Sequence, residues 1–113
     1  MHLKILAANE LMIADPTEAE IKAALDDTFE GKNDGLILVD DDANNIFMQV
    51  AAVANVRKGA LVCQVEYCVG RKGPIYAADG IPHPVVAWLF LSYLRGDGAW
   101  RQAMPWRVEI ESL

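Results

Sequence analysis

The sequence predicts a single α+β domain: an antiparallel meander sheet of about five strands with two main helices packed on one face. Three observations carry this expectation. Residues 61–69 alternate, with Leu61, Cys63, Val65, Tyr67 and Val69 on one side and Gln64 and Glu66 on the other, the two-residue period of a sheet covered on one face. Ile21, Ala24, Leu25 and Phe29 recur at the spacing of a single helical stripe. Residues 85–95 form an almost wholly apolar run closed by Gly96, which reads as a second helix. At 113 residues the chain has the size of one domain, 1–113, enough to bury about two-thirds of its unfolded surface. Its 53% hydrophobic content places it outside the disordered class.

Taken in order, residues 3–8 read as an opening strand. The segment Asp15-Pro16-Thr17-Glu18-Ala19-Glu20-Ile21 starts the first helix in one of two ways. Either Asp15 caps it with Pro16 at the first position and Glu18 as reciprocal partner, or Thr17 caps it with Glu20. Gly31 offers the stop, and Glu20, Asp26, Asp27 and Glu30 occupy the outer face. From Leu36 the period becomes that of strands, at 36–39, 46–53 and 61–69, with a polar turn at 40–45. Gly70-Arg71-Lys72-Gly73 is a hairpin loop leading into a fourth strand at 74–77. Pro82 and Pro84 introduce the second helix, whose lack of a polar face predicts burial on several sides or a place at an interface. Asp97 caps a short turn through Ala99, Trp100 and Arg101. Trp106, Val108 and Ile110 then alternate with Arg107, Glu109 and Glu111 as a final strand.

Charge is unevenly distributed. Residues 10–42 hold eleven acidic side chains against Lys22 and Lys32, a local net charge of -9 in a chain whose total is -6. A field of one sign on one part of a surface steers molecules of the opposite sign toward it. The partner this predicts is a protein with a basic surface, and the candidate contacts are Asp26, Asp27, Glu30, Asp40, Asp41 and Asp42. Glu66 joins them if its strand turns it the same way.

Several chemistries are excluded by spacing. The hydroxyls are few, Ser92, Ser112, Thr17 and Thr28, and none stands beside a base in sequence. His83 lies between two prolines at a helix entrance, a position that suits a turn residue. Asp40, Asp42 and Asn44 match the first ligand positions of a calcium loop, but Asn45 replaces the required glycine and Ala51 the bidentate glutamate. No glycine-rich segment leads from a strand into a helix as a phosphate cradle does. Scattered bases and the negative total argue against nucleic-acid binding. The expectation is a protein without enzymatic activity, cofactor or metal.

Cys63 and Cys68 on one strand point to opposite faces roughly 16 Å apart, at about 3.3 Å per residue, so they cannot form a disulfide without breaking it. The longest uncharged apolar run, residues 85–91, falls well short of the roughly 20 residues of a membrane span. The first residues lack a secretory leader's apolar core. A cytoplasmic location without membrane attachment is expected.

Beyond these readings the chain resembles the immunity proteins of bacterial polymorphic toxin systems, in particular the family often encoded beside deaminase-type toxins. The resemblance rests on Asp15-Pro16-Thr17-Glu18-Ala19-Glu20-Ile21, Gly35-Leu36-Ile37-Leu38, Phe47-Met48-Gln49-Val50 and Val65-Glu66-Tyr67. It ends with Phe90-Leu91-Ser92-Tyr93-Leu94-Arg95-Gly96-Asp97 followed by Trp100 and Trp106. It covers most of residues 15–108 and implies a small α+β protein that binds a cognate toxin and blocks its active site, with no catalytic residues of its own. Two other readings compete. One is a structural or regulatory domain that forms a homodimer through the apolar helix. The other is a small-molecule binder with a pocket around His83, Trp88, Trp100 and Trp106.

Overall fold

Strand register sorts the side chains of this chain into rows, and those rows determine which residues meet. A computed structural model describes residues 1–51, 56–57 and 60–111, with the backbone alone at 56–57 and 60–62. The elements run β1 (His2–Leu6), β2 (Leu11–Ala14), α1 (Glu18–Phe29), β3 (Gly35–Asp41), β4 (Ile46–Ala51), β5 (Val56–Arg57), β6 (Ala60–Val69), β7 (Ile75–Pro82), α2 (His83–Arg95), α3 (Ala99–Ala103) and β8 (Arg107–Ile110). Seven strands form one antiparallel sheet in the order β2-β1-β3-β4-β6-β7-β8, and the short β5 pairs with the start of β6. The α+β prediction holds, with β3, β4, β6 and β7 as the predicted meander, but the sheet has seven strands rather than about five. β2 escaped prediction because its four residues directly precede the helix start and are too few to display a period. Residues 52–53, predicted as part of the second meander strand, lie outside the described residues.

The start of α1 is settled by Thr17. Its Oγ1 accepts a hydrogen bond from the Glu20 N–H at 3.2 Å, and Glu20 Oε1 accepts one from the Thr17 N–H at 3.0 Å, a reciprocal capping box. Asp15 lies ahead of it in the left-handed region at φ 46°, its N–H donating to the Met1 carbonyl. The helix ends at Glu30, and Gly31 takes the left-handed φ of 76° that terminates it. Beyond that, buried Asn33 ties the exit to the helix. Its Nδ2 donates to the Ala24 carbonyl, and its Oδ1 accepts from the Thr28 hydroxyl at 2.7 Å and the Gly35 N–H at 3.1 Å. Gly35 then enters β3 at φ 142°, so close to β4 that a Cβ would stand 2.3 Å from the Val50 carbonyl oxygen.

One row runs Leu3, Leu38, Met48, Tyr67 and Tyr76 across β1, β3, β4, β6 and β7; the next runs Ile5, Leu36, Val50, Val65 and Ala78. These residues pack with Ile21, Ala24 and Leu25 of α1 and Val86, Leu89 and Phe90 of α2 in one core, so both helices lie on this face. Tyr67 is its aromatic hub: the rings of Trp100 and Trp106 meet it edge-on at 4.7 Å, and Tyr76 stacks on it at 4.9 Å. α2 is buried at Val86 and from Leu89 to Tyr93 but exposes Trp88. Gly96 closes it in the left-handed conformation. At the corner that follows, Ser92 Oγ accepts the Trp100 N–H while Asp97 Oδ1 accepts the Ala99 N–H; the N-cap of α3 is Gly98, in the left-handed conformation, rather than the predicted Asp97, which lies one residue ahead of it.

Among the described residues, no helix lies on the opposite sheet face. Its rows are Lys4, Ile37, Gln49, Glu66, Ala77 and Arg107, then His2, Val39, Phe47, Cys68 and Ile75. Val39, Cys68, Ile75 and Ala77 are nonetheless buried, and they stand apart from the main core. Cys63 is in the core and Cys68 on this second face, both as free thiols, on opposite sides of β6 as parity requires.

Candidate functional site

The acidic residues singled out by charge occupy three separate places. Asp26, Asp27 and Glu30 are exposed around the last turn of α1, which contains no basic residue. Asp26 and Glu30 line an open groove of about 420 Å³ together with Phe29, His83, Pro84 and Ala87. The Phe29 and His83 rings stack face to face there, centroids 3.8 Å apart and planes within 8°. Burial holds the His83 imidazole below its usual pKa, which favours the neutral ring. Lys32 Nζ stands 2.9 Å from Glu30 and 4.0 Å from Asp27; the hydrogen bond to Glu30 and both negative charges raise the ammonium pKa. Asp26 makes no ion pair among the described residues.

The turn at 40–45 divides its three aspartates. Asp41 serves the turn itself, accepting from the Asn44 N–H at 3.2 Å and the Asn44 side-chain amide at 2.6 Å; those bonds depress its carboxyl pKa. Asp42 reaches Lys4 Nζ at 3.7 Å, and both rim a small cavity of about 140 Å³ on the helix-free face, lined also by Ile37, Val39, Asn45, Phe47 and Gln49. Asp40 is exposed on the other side, where its charge adds to burial in raising the pKa of Tyr93. The Tyr93 hydroxyl is buried with no hydrogen-bond partner among the described residues.

Glu66 does not face the way of the α1 acids: it lies on the helix-free side of the sheet, while α1 covers the other. It is also no free carboxylate. Gln49 Nε2 donates to its Oε1 at 3.2 Å, and the Glu109 carboxyl stands beside it. Burial, then the hydrogen bond and charge of Glu109, raise its pKa to about 7 against the opposing pull of Gln49 and Arg107. The pair is embedded in a polar lattice. Arg107 holds Asp79 through Nε at 3.1 Å and Nη2 at 2.7 Å, and Gln64 Nε2 donates to Asp79 at 2.8 Å and to Glu109 at 3.4 Å. With burial and the Glu109 carboxyl beside it, Glu66 is a weak acid that keeps its proton toward neutrality. The arrangement can exchange that proton with solvent but presents no adjacent nucleophile among the described residues.

Sequence reasoning missed Glu109 and Gln49 because only the register of β4, β6, β7 and β8 brings them to Glu66. It also missed the partnership of Phe29 with His83, which only the packing of α1 against α2 creates. The proposed aromatic pocket does not assemble: Trp100 and Trp106 pack on Tyr67, His83 on Phe29, and Trp88 faces solvent. Among the described residues no three His, Cys, Asp or Glu side chains are close enough to hold one metal ion, and no helix is long and apolar enough to cross a membrane. No family model, no curated protein and no solved structure matches this chain.

Proposed function

We propose that the protein is a binding inhibitor of the immunity type, which presents carboxylates to the basic surface of a toxin domain and obstructs its active site. The observation that carries this reading is the placement of Asp26, Asp27 and Glu30 around the last turn of α1. There the helix dipole is negative, and each acid costs roughly 0.3–1 kcal/mol relative to a neutral residue. Acids retained where they oppose local stability are expected where a cation docks. The reading assigns the chain no reaction and locates it in the bacterial cytoplasm, where a toxin would have to be neutralised.

The test is capture of binding proteins from bacterial lysate on the immobilised chain, at about 50 mM and about 500 mM salt. A basic protein retained at low salt, released at high salt and lost with Asp26→Asn/Asp27→Asn/Glu30→Gln is the expected result. Retention indifferent to salt and to those substitutions overturns it. Self-association has its own support in the strand edges, where β2 exposes uncharged Leu11 and Met12 and β8 exposes Val108 and Ile110. Mass measured by light scattering across a concentration series decides that alternative.

A further inference from the structure

We propose that the groove between the exit of α1 and the entrance of α2 is an anchor site for a guanidinium group, an arginine side chain projected by the partner. This deepens the reading of a basic partner and rests on it. Three features of the groove converge on that chemistry.

The first is electrostatic. Asp26 and Glu30 are four residues apart and therefore neighbours on one side of the helix, a like-charge pair that destabilises an isolated helix. They add to the negative end of the dipole, and Lys32 attends Glu30 and Asp27 but leaves Asp26 without an ion pair among the described residues. A cation entering the groove relieves all of these repulsions at once.

The second is shape. The rings of Phe29 and His83 cover one face of each other, and their remaining surfaces line the groove beside the two carboxylates. A guanidinium is planar, stacks on ring faces and donates through a fork that fits a carboxylate, whereas an ammonium is a compact and strongly hydrated point charge. With its imidazole predominantly neutral, His83 does not repel the incoming charge.

The third is rigidity. His83 is the first residue of α2 and lies between Pro82 and Pro84, with Pro82 held extended at φ -63° and ψ 151°. The backbone at the groove is thus restricted, and the stack on Phe29 holds the His83 ring, so less side-chain entropy is lost on contact.

The experiment is a titration of the ¹⁵N-labelled full chain with Nα-acetyl-arginine methylamide, followed by amide chemical shifts. The lysine and citrulline analogues serve as matched probes. The expected result is saturable shifts confined to the neighbourhood of Asp26, Phe29, Glu30 and His83, with Kd on the order of 1–10 mM for a single side chain. Asp26→Asn, at an exposed position, should weaken it about threefold to tenfold, and the lysine probe should bind more weakly. Citrulline, which keeps the shape without the charge, should shift these amides little. Equal shifts from arginine and citrulline, equal affinity for lysine, shifts centred elsewhere, or no effect of Asp26→Asn would overturn the assignment. Because the probe is a single residue, such a failure leaves the salt-dependent capture of a partner to be judged by itself.

Discussion

Replacing Glu66 by Gln should make the protein more stable, and only above acidic pH. The native Glu66 carboxyl has its pKa raised from the usual 4.5 to about 7, so the folded state holds a proton that the unfolded chain has released. Native proton binding therefore exceeds that of the unfolded state between these two values, and stability falls as pH rises through them. Below the unfolded value the contribution is intact, and above about 7 it is lost. At about 1.4 kcal/mol per tenfold change in proton affinity the full cost of ionising Glu66 in place is about 3 kcal/mol. Glu66 is only partly buried, so solvent screening reduces this to about 1–2 kcal/mol. Gln keeps the shape, can accept from Gln49 and donate to Glu109, and does not ionise. Urea unfolding of both proteins from pH 4 to 9 is the assay. With an m-value of roughly 1–1.5 kcal/mol/M for a chain this size, the midpoints should coincide near pH 4 and separate by about 1 M at pH 8, the variant higher. Parallel curves at every pH, or a variant less stable at pH 8, would refute the argument that Glu66 and Glu109 strain the native state when both are charged.

Other perturbations have comparably specific outcomes. Gly35→Ala combines a disfavoured φ with a backbone clash against Val50, and should destabilise the protein by about 3 kcal/mol or more in denaturant titration. Asn33→Ala leaves the Gly35 N–H without its buried acceptor, while the Ala24 carbonyl keeps the Thr28 hydroxyl, and should cost about 1–3 kcal/mol by the same measurement. Met48→Ala opens a cavity at a fully buried position beneath the helices and should cost about 2–5 kcal/mol. Thr17→Ala removes half of the α1 capping box and should lower stability by about 1 kcal/mol without shifting the β-strand amide resonances.

The local features of this chain follow from neighbouring residues. Parity along β6 is readable because alternate side chains must point to opposite faces, so Cys63, Val65 and Tyr67 in the core and Glu66 outside it need no tertiary knowledge. Val69, on the apolar parity, ends up exposed because it lies where the strand ends. The stops at Gly31 and Gly96 are equally local, since only glycine enters the left-handed region without a Cβ penalty. Between the two possible caps of α1, Thr17 prevails because its hydroxyl and the Glu20 carboxylate satisfy each other's backbone donors, while Asp15 is drawn toward Met1. β2 was not legible, as a four-residue strand is defined by the edge it joins.

What the sequence determined by itself is therefore the class of fold, the helix stops at Gly31 and Gly96, the sidedness of the sheet and the excess of carboxylate in residues 10–42. Only the tertiary structure decided how that excess is divided. Register placed Glu66 beside Glu109 and made it a weak acid; the crossing of α1 with α2 placed Phe29 on His83 and gave Asp26 and Glu30 a groove. Secondary structure arises from contacts a few residues apart, and the chain writes those into its local pattern. Pairings across forty or fifty residues depend on how whole elements pack, and the burial and charge that tune a side chain come from those pairings.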